Sequence, residues 1–159
     1  MNIAIYPGSF DPITKGHLDV LKTGSEIFDK VIIAVSRNSE KKSFLTVEER
    51  VNLIKESIGD LENVEVDSFD GLTVEYAKSK GAKVILRGLR AVSDFEYEMQ
   101  LSQANSALSE NIKTIFLITK PKYNFISSST VKDIASFGGD ISKFVSEAVN
   151  DYLKKQFAK

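Results

Sequence analysis

Short apolar runs rich in Val and Ile alternate along this chain with longer amphipathic stretches. Several runs are apolar at successive residues, as strands buried on both faces require. The alternation therefore predicts an α/β fold in which helices cover a parallel sheet of five strands. The predicted strands are residues 3–6, 30–36, 64–68, 83–86 and 113–119.

Two sites of capping-box form predict where helices begin. Thr46 is followed three residues later by Glu49, and Ser93 is followed in the same way by Glu96. In such a box the hydroxyl accepts an N–H group of the first helical turn, which otherwise has no partner. We therefore expect Thr46 and Ser93 to cap two helices.

Glycines mark two helix ends. Gly81 and the pair Gly138 and Gly139 follow amphipathic stretches, where a left-handed residue without a Cβ suits the position after a helix. Two helices, predicted over residues 130–137 and 142–157, then close the chain. Because no repeat or linker interrupts the pattern, residues 1–159 are expected to form a single Rossmann-like, doubly wound domain with C-terminal helices.

Composition excludes several classes of function. The 159 residues include no cysteine and one histidine, which excludes disulfide scaffolds, thiolate nucleophiles and polyhistidine metal sites. The net charge of -1 gives no overall field for binding nucleic acid or a membrane surface, so neither partner is expected. The N-terminus does not resemble a signal peptide and no apolar run is long enough to span a bilayer, which predicts a cytoplasmic location.

The segment at residues 6–17, Y-P-G-S-F-D-P-I-T-K-G-H, has the form of a strand, a bent loop and a helix start. Gly8 is expected to take a positive φ, and Gly16 would let a ligand approach the backbone. The free N–H groups at the helix start suit a triphosphate. Neither the P-loop pattern nor G-x-G-x-x-G is present, so the two commoner nucleotide-binding motifs are excluded.

His17 is expected in the first turn of that helix. A lone histidine often has no role beyond satisfied hydrogen bonds. Below a phosphate-binding loop, however, it can donate a hydrogen bond to charge developing on a phosphoryl oxygen. Position therefore makes His17 the candidate catalytic residue.

Four ordered segments spread over the chain carry a resemblance to a known family. They are G-S-F-D-P at 8–12 with T-K-G-H at 14–17, K-K at 41–42 with F-L-T-V-E-E-R at 44–50, R-G-L-R-A-V-S-D-F-E-Y-E-M-Q at 87–100, and F-I-S-S-S at 125–129. With them the chain resembles the bacterial phosphopantetheine adenylyltransferases of the T/H-x-G-H nucleotidyltransferase superfamily. Thr14 stands where many members of that superfamily carry a first histidine.

The resemblance implies two sets of binding residues. ATP would contact Ser9, Phe10, His17, Gly88, Leu89, Arg90, Glu98, Tyr123, Asn124, Phe125, Ile126, Ser127, Ser128 and Ser129. The substrate 4′-phosphopantetheine would contact Ser9, Lys41, Thr73 and Arg87. Thr73 is more polar than the residue often found there, which leaves its effect on the pantetheine pocket open.

Other readings of these residues stay open at this point. Arg87 and Arg90 also suit surface ion pairs. Lys41 also suits a solvated loop, and Lys42 beside it is the less favoured candidate for the same phosphate contact. Asp94 and Glu98 share a helix face and also suit solvated carboxylates. The serines at 127–129 suit helix capping, alone or together with phosphate binding.

The implied reaction transfers AMP from ATP to 4′-phosphopantetheine and gives dephospho-coenzyme A and pyrophosphate. Mg²⁺ is expected as the cofactor from the triphosphate chemistry, but the sequence does not name its ligands. The resemblance also implies a homohexamer and feedback inhibition by coenzyme A. One alternative is the same transfer chemistry with other substrates, either with nicotinamide mononucleotide as the acceptor or with CTP and a small alcohol phosphate. The other alternative is a non-catalytic nucleotide-binding module.

Overall fold

The computed structural model describes residues 1–37 and 42–158, the side chain of Ser93 excepted. Strands and helices alternate as the sequence predicts. None of the helices in these ranges is long and apolar enough to cross a bilayer. The elements are β1 (Ile3–Gly8), α1 (Lys15–Ile27), β2 (Lys30–Ser36), α2 (Val47–Ser57), β3 (Val64–Phe69), α3 (Thr73–Ser79), β4 (Val84–Leu89), α4 (Val92–Leu108), β5 (Lys113–Ile118), a 3₁₀ turn (Pro121–Tyr123), α5 (Ser128–Ser136) and α6 (Glu147–Phe157).

The five strands form one parallel sheet in the order β3-β2-β1-β4-β5. Ile3 pairs with Lys30 of β2, and Ala4 pairs with Val84 of β4, so β1 lies at the centre. The chain builds the sheet outward from β1 in one direction and then, from β4, in the other. This arrangement confirms the predicted doubly wound α/β fold, and it places the switch in strand order between β1 and β4.

Apolar side chains fill both faces of the sheet. On one face Leu21 of α1, Val131 of α5 and Leu153 of α6 pack with alternate residues of the central strands, and all three are buried. On the other face Val74 and Ala77 of α3 pack with the intervening strand residues. Because the central strands are covered on both sides, their continuous apolar runs are explained.

One of the two predicted helix starts is confirmed and the other is wrong. Thr46 caps α2: its side chain accepts from the Glu49 N–H at 3.1 Å, and the Thr46 N–H donates to Glu49 at 3.1 Å. Ser93, in contrast, lies inside α4, which begins at Val92 after Ala91 as the N-cap. An alanine offers no capping side chain, so the capping-box form at Ser93 is coincidental.

The predicted helix ends are confirmed, but the last helices start elsewhere. Gly81 and Gly138 take positive φ of 68° and 76°. Helix α5 begins at Ser128, two residues earlier than predicted. Helix α6 begins at Glu147 rather than at residue 142, because Ser146 caps it by accepting from the Val149 N–H at 3.3 Å.

The loop after β1 differs from the prediction in one backbone angle. Gly8 is not among the residues with positive φ; Phe10 takes that conformation, with φ 46°. The glycine is needed for space instead, since a Cβ on Gly8 would lie 2.9 Å from Cζ of Phe10. The strand therefore runs on to Gly8 and the left-handed turn follows two residues later.

Candidate active site

An open cleft lies at the carboxyl ends of β1 and β4, where the strand order switches. It contains a cavity of about 480 Å³ and an adjoining one of about 280 Å³. Residues from the β1 end, the β4 end and α4 line both cavities: Pro7, Gly8, Ser9, Arg87, Tyr97 and Glu98. Open α/β sheets bind ligands at this place, so the fold alone makes it the candidate site.

Thr14 and His17 cap helix α1 reciprocally. The Thr14 hydroxyl accepts from the His17 N–H at 3.3 Å, and the Thr14 N–H donates to Nδ1 of His17 at 3.0 Å. His17 thus occupies the position that Glu or Gln takes in an ordinary capping box. Because Nδ1 accepts a backbone hydrogen bond, the ring proton is on Nε2, and His17 faces the larger cavity as a hydrogen-bond donor.

The surroundings of His17 keep the imidazole neutral. Burial, together with the positive charges of Arg90 and Arg87, lowers the pKa of His17 to about 4. The Phe10 ring lies edge-on to the imidazole at 5.1 Å between centroids and excludes water from one side. At neutral pH the side chain is therefore a neutral donor, held in one tautomer.

Arg87 and Glu98 bind each other. Nε of Arg87 donates to one carboxylate oxygen at 2.8 Å and Nη2 to the other at 2.6 Å, while Nη1 donates to the Pro7 carbonyl at 2.9 Å. Burial acts to lower the pKa of Arg87, but the hydrogen bond and charge of Glu98 outweigh it and raise the pKa. The guanidinium is thereby fixed at the junction of the two cavities.

Arg90 joins the end of β4 to the serine segment, defined here as residues 126–129. Its Nη1 donates to the Ile126 carbonyl at 2.8 Å, and its Nε lies 3.5 Å from the Asp94 carboxylate. Arg90 also lines the larger cavity together with His17 and the serine segment. The end of β4 and the serine segment, which are distant along the chain, thus form one wall of the larger cavity.

The serines differ in their contacts. Ser127 caps α5 by accepting from the Thr130 N–H at 3.1 Å, and Ser128 donates to the Pro12 carbonyl at 2.7 Å. Ser129 lines the larger cavity beside them. Capping accounts for Ser127, while Ser128 ties α5 to the loop after β1 and the segment as a whole faces the cleft.

The remaining predicted residues fall into three groups. Ser9 and Phe10 line the larger cavity with Gly88, and Thr73 lines the smaller one. Leu89, Tyr123, Asn124 and Phe125 do not line either cavity; Phe125 is exposed and packs edge-on against Phe144. Lys41 lies outside the described residues.

Sequence reasoning missed the wall that α4 contributes to the smaller cavity. Leu101, Ser102 and Asn105 of α4 line it together with Glu98. The four residues follow i, i+3, i+4, i+7 spacing and therefore share one face of the helix. This spacing was readable in the sequence, but polar and apolar residues are mixed all around α4, so no face of the helix stood out.

Comparisons with known proteins agree with this geometry. Residues 5–134 match the family model described as cytidylyltransferase-like. The chain is 53% identical over 159 residues to the phosphopantetheine adenylyltransferase of Caldanaerobacter subterraneus subsp. tengcongensis, covering 100% of this chain and 99% of that protein. It is also 53% identical over 157 residues to the phosphopantetheine adenylyltransferase of Geotalea daltonii, covering 99% and 98%.

A solved structure supports the fold. A Vibrio parahaemolyticus protein assigned as a nicotinate-nucleotide adenylyltransferase superposes with a TM-score of 0.74 at 21% identity, over 99% of this chain and 94% of that one. At this identity the likeness speaks for the Rossmann-like architecture alone.

Proposed function

The chain belongs to the phosphopantetheine adenylyltransferases within the cytidylyltransferase-like family, and we propose that its two adjoining cavities hold the two substrates. The enzyme transfers AMP from ATP to 4′-phosphopantetheine and forms dephospho-coenzyme A and pyrophosphate. The observation that carries the assignment of the site is the position of His17. It is a neutral donor of fixed tautomer beside two arginines at the switch in strand order.

The nucleophile needs no activation by the protein. The acceptor is a phosphate monoester whose second pKa is about 6, so it is already an anion at neutral pH. One of its oxygens forms a bond to the α-phosphorus of ATP while the bond from that phosphorus to the bridging oxygen of pyrophosphate breaks. Catalysis then rests on positioning and on charge neutralisation rather than on a general base.

His17 is assigned to the charge that develops during transfer. Its Nε2–H donates to an α-phosphoryl oxygen in the pentacovalent state, where a preorganised donor is most effective. Arg90 and the serine segment, which share a wall of the larger cavity, hold the departing pyrophosphate. Arg87 and Ser9, at the junction of the cavities, orient the acceptor phosphate together with Lys41.

The smaller cavity suits the pantetheine arm. That arm carries two amides and short aliphatic segments, and the cavity presents Thr73, Ser102 and Asn105 beside the apolar Phe69 and Leu101. Amide and hydroxyl side chains can pair with the amides while the apolar ones pack on the methyl and methylene groups. Thr73 is thus compatible with the arm. Coenzyme A carries the same arm and an adenylyl group, which supports feedback inhibition through the same two cavities.

Mg²⁺ is proposed to enter with ATP as part of the substrate complex. Within residues 1–37 and 42–158, no group of three or more His, Cys, Asp or Glu side chains is placed to hold a metal. Mg²⁺ needs only one or two carboxylates besides phosphates and water. Both carboxylates of the larger cavity pair with an arginine, Glu98 with Arg87 at 2.6 Å and Asp94 with Arg90 at 3.5 Å. Because the Asp94 pair is longer and more exposed, Asp94 is the carboxylate that we expect to contribute a ligand.

A homohexamer, which the family resemblance implies, is proposed, and exposed apolar surface supports self-association. Val92 of α4 is 89% exposed and Ile118 of the edge strand β5 is 83% exposed. Apolar surface at an unpaired strand edge is usually covered by a partner. We expect a second copy of the chain to cover this surface, and sedimentation equilibrium would measure the number of subunits. A cytoplasmic location is proposed as well, because the reaction consumes ATP.

The test of the function is a parallel incubation of purified protein with Mg²⁺ and ATP. One tube contains 4′-phosphopantetheine and the other nicotinamide mononucleotide; pyrophosphate release is followed and the adenylylated product is identified by mass. We expect dephospho-coenzyme A in the first tube alone. Pyrophosphate release only in the second tube would show that 4′-phosphopantetheine is not the acceptor. No release in either tube, with ATP still bound, would indicate a non-catalytic nucleotide-binding module.

A further inference from the structure

Asp11 is a buried carboxylate to which the predicted reaction gives no role. It is 5% exposed and lies in the loop between β1 and α1. Its two oxygens accept the backbone N–H of Phe44 at 2.8 Å and that of Leu45 at 2.9 Å. The ammonium of Lys132 lies 3.0 Å from the same oxygen that binds Phe44. Three segments that are distant along the chain therefore meet at one side chain.

Each of these segments leads to a part of the cleft. Asp11 follows Ser9 and Phe10 directly, at the end of β1. Phe44 and Leu45 lie just beyond Lys41 and Lys42 and lead into α2. Lys132 lies on α5 one turn beyond Ser128, which donates from the same helix to the Pro12 carbonyl. Asp11 thus connects three elements: residues 42–45, helix α5 and the loop that leads to His17 in α1.

Stability alone is a weak reason for this arrangement. Burying a carboxylate beside a partly buried ammonium is costly, and an apolar pair of similar volume is often as stable. Backbone N–H groups that converge on both carboxylate oxygens do fix position, because charge-assisted hydrogen bonds are short and directional. Arg50 adds to the same effect: it is fully buried and donates from Nη1 to the Ser9 carbonyl at 2.8 Å.

We propose that Asp11, held by Lys132, is a positioning residue for the transfer. It fixes residues 42–45, which directly follow Lys41 of the acceptor-phosphate site, relative to the loop that leads to His17. The proposal rests on the proposed function of the cleft. Asp11 does not touch the reacting atoms. It acts through the two hydrogen bonds that it accepts from backbone N–H groups and through helix α5, which carries Lys132.

The variant Asp11→Asn separates this role from general packing. Asparagine has nearly the same volume, but it carries no charge, and at whichever oxygen position its NH2 group lies, a backbone N–H of Phe44 or Leu45 loses its acceptor. We expect the KM for 4′-phosphopantetheine to rise about 10-fold. The KM for ATP should change less than about 3-fold, since the contacts of Arg90 to the serine segment remain. The amide protons of Phe44 and Leu45 should exchange with solvent about 10-fold faster or more.

Variants of Lys132 provide a second measurement should Asp11→Asn fail to fold. Lys132→Met removes the cation but leaves the two backbone hydrogen bonds, so the same KM should rise by a smaller factor. Lys132→Arg keeps the cation and should return the KM most of the way to the wild-type value. Lys30→Met is the matched control. It makes the same change as Lys132→Met and removes the ion pair of Lys30 with Glu65 at the start of β2, at the opposite edge of the sheet from the cleft.

The two proposals fail in different ways. Wild-type protein that forms no dephospho-coenzyme A would contradict the function, whereas the exchange rates of Phe44 and Leu45 test the role of Asp11 without turnover. If Asp11→Asn lowered the melting temperature with the ratio of the two KM values unchanged, the positioning role would be overturned. It would equally be overturned if Lys30→Met raised the KM for 4′-phosphopantetheine as much as Lys132→Met does.

Discussion

Arg87 and Glu98 form a two-bonded ion pair, so a residue expected at the acceptor and one expected at ATP work as a unit. The carboxylate takes two of the guanidinium N–H groups and the Pro7 carbonyl takes a third. A guanidinium has five, which leaves two for a phosphate. Glu98 therefore orients the arginine at the junction of the cavities, whether or not it also contacts the nucleotide.

Replacing Glu98 by Gln is expected to act on the acceptor side. The amide keeps the size of the side chain but loses the charge and one of the two acceptors, so Arg87 is held less firmly. We predict that the KM for 4′-phosphopantetheine rises about 10-fold and that Arg87→Lys raises it in the same direction. Steady-state kinetics with each substrate varied would check this. A change confined to the KM for ATP would return Glu98 to the nucleotide side.

The protonation state of His17 can be read directly, because it is the one histidine of the chain. Burial lowers its pKa to about 4, and the Thr14 N–H occupies Nδ1. In nitrogen-15 NMR spectra we expect the proton on Nε2 and no titration of the ring signals between pH 8 and about pH 5.5. A titration midpoint near 6.5, or a proton on Nδ1, would contradict this account.

The same pKa shift predicts how stability depends on pH. An unfolded His17 titrates near 6.5, so between pH 6.5 and 4 the unfolded state binds more protons than the folded one. Stability contributed by this group is therefore present above 6.5 and is lost as the pH falls toward 4. From pH 7.5 to 5, we expect wild type to lose about 1 kcal/mol or more relative to His17→Asn. Urea unfolding at both values measures the difference; parallel losses would argue against the shift.

Gly88 is predicted to be required for the packing of α1 on β4. A Cβ at this position would lie 2.8 Å from Cγ2 of Val20, which must then move. Gly88→Ala should lower the free energy of unfolding by about 1–3 kcal/mol. Combined with Val20→Ala, the double variant should be more stable than the sum of the single changes predicts. Simple additivity in urea unfolding would show that the two residues do not compete for space.

The alternation of strands and helices was predictable because the spacing of apolar residues within each segment indicates its secondary structure. The end of β4 was not: the strand was expected to end at residue 86, yet it continues to Leu89 because residues 87–89 pair with residues 116–118 of β5. Ser93 shows the opposite error, since a capping-box pattern has no effect where the helix has already begun at Val92. In both cases a contact or a boundary set by the rest of the fold overrides the local signal.

The site was predictable as a set of residues, but its internal bonding was not. The motif at 14–17 and the arginines pointed to the cleft, where the structure brings His17, Arg87 and Arg90 together. That Glu98 pairs with Arg87 depends on how α4 lies across β4, and that Asp11 meets Lys132 depends on the docking of α5. Such partners are 11 and 121 residues apart, beyond any local pattern.

The central claim is that Nε2 of a neutral His17 stabilises the transfer of AMP, and one variant tests it. In His17→Asn the side-chain oxygen can still accept from the Thr14 N–H and cap α1, but no donor reaches the position of Nε2. The decisive measurement is the rate of dephospho-coenzyme A formation by this variant at saturating ATP and 4′-phosphopantetheine. We predict a kcat at least about 100-fold below wild type, with the KM for ATP within about 3-fold. A kcat close to that of wild type would contradict the account.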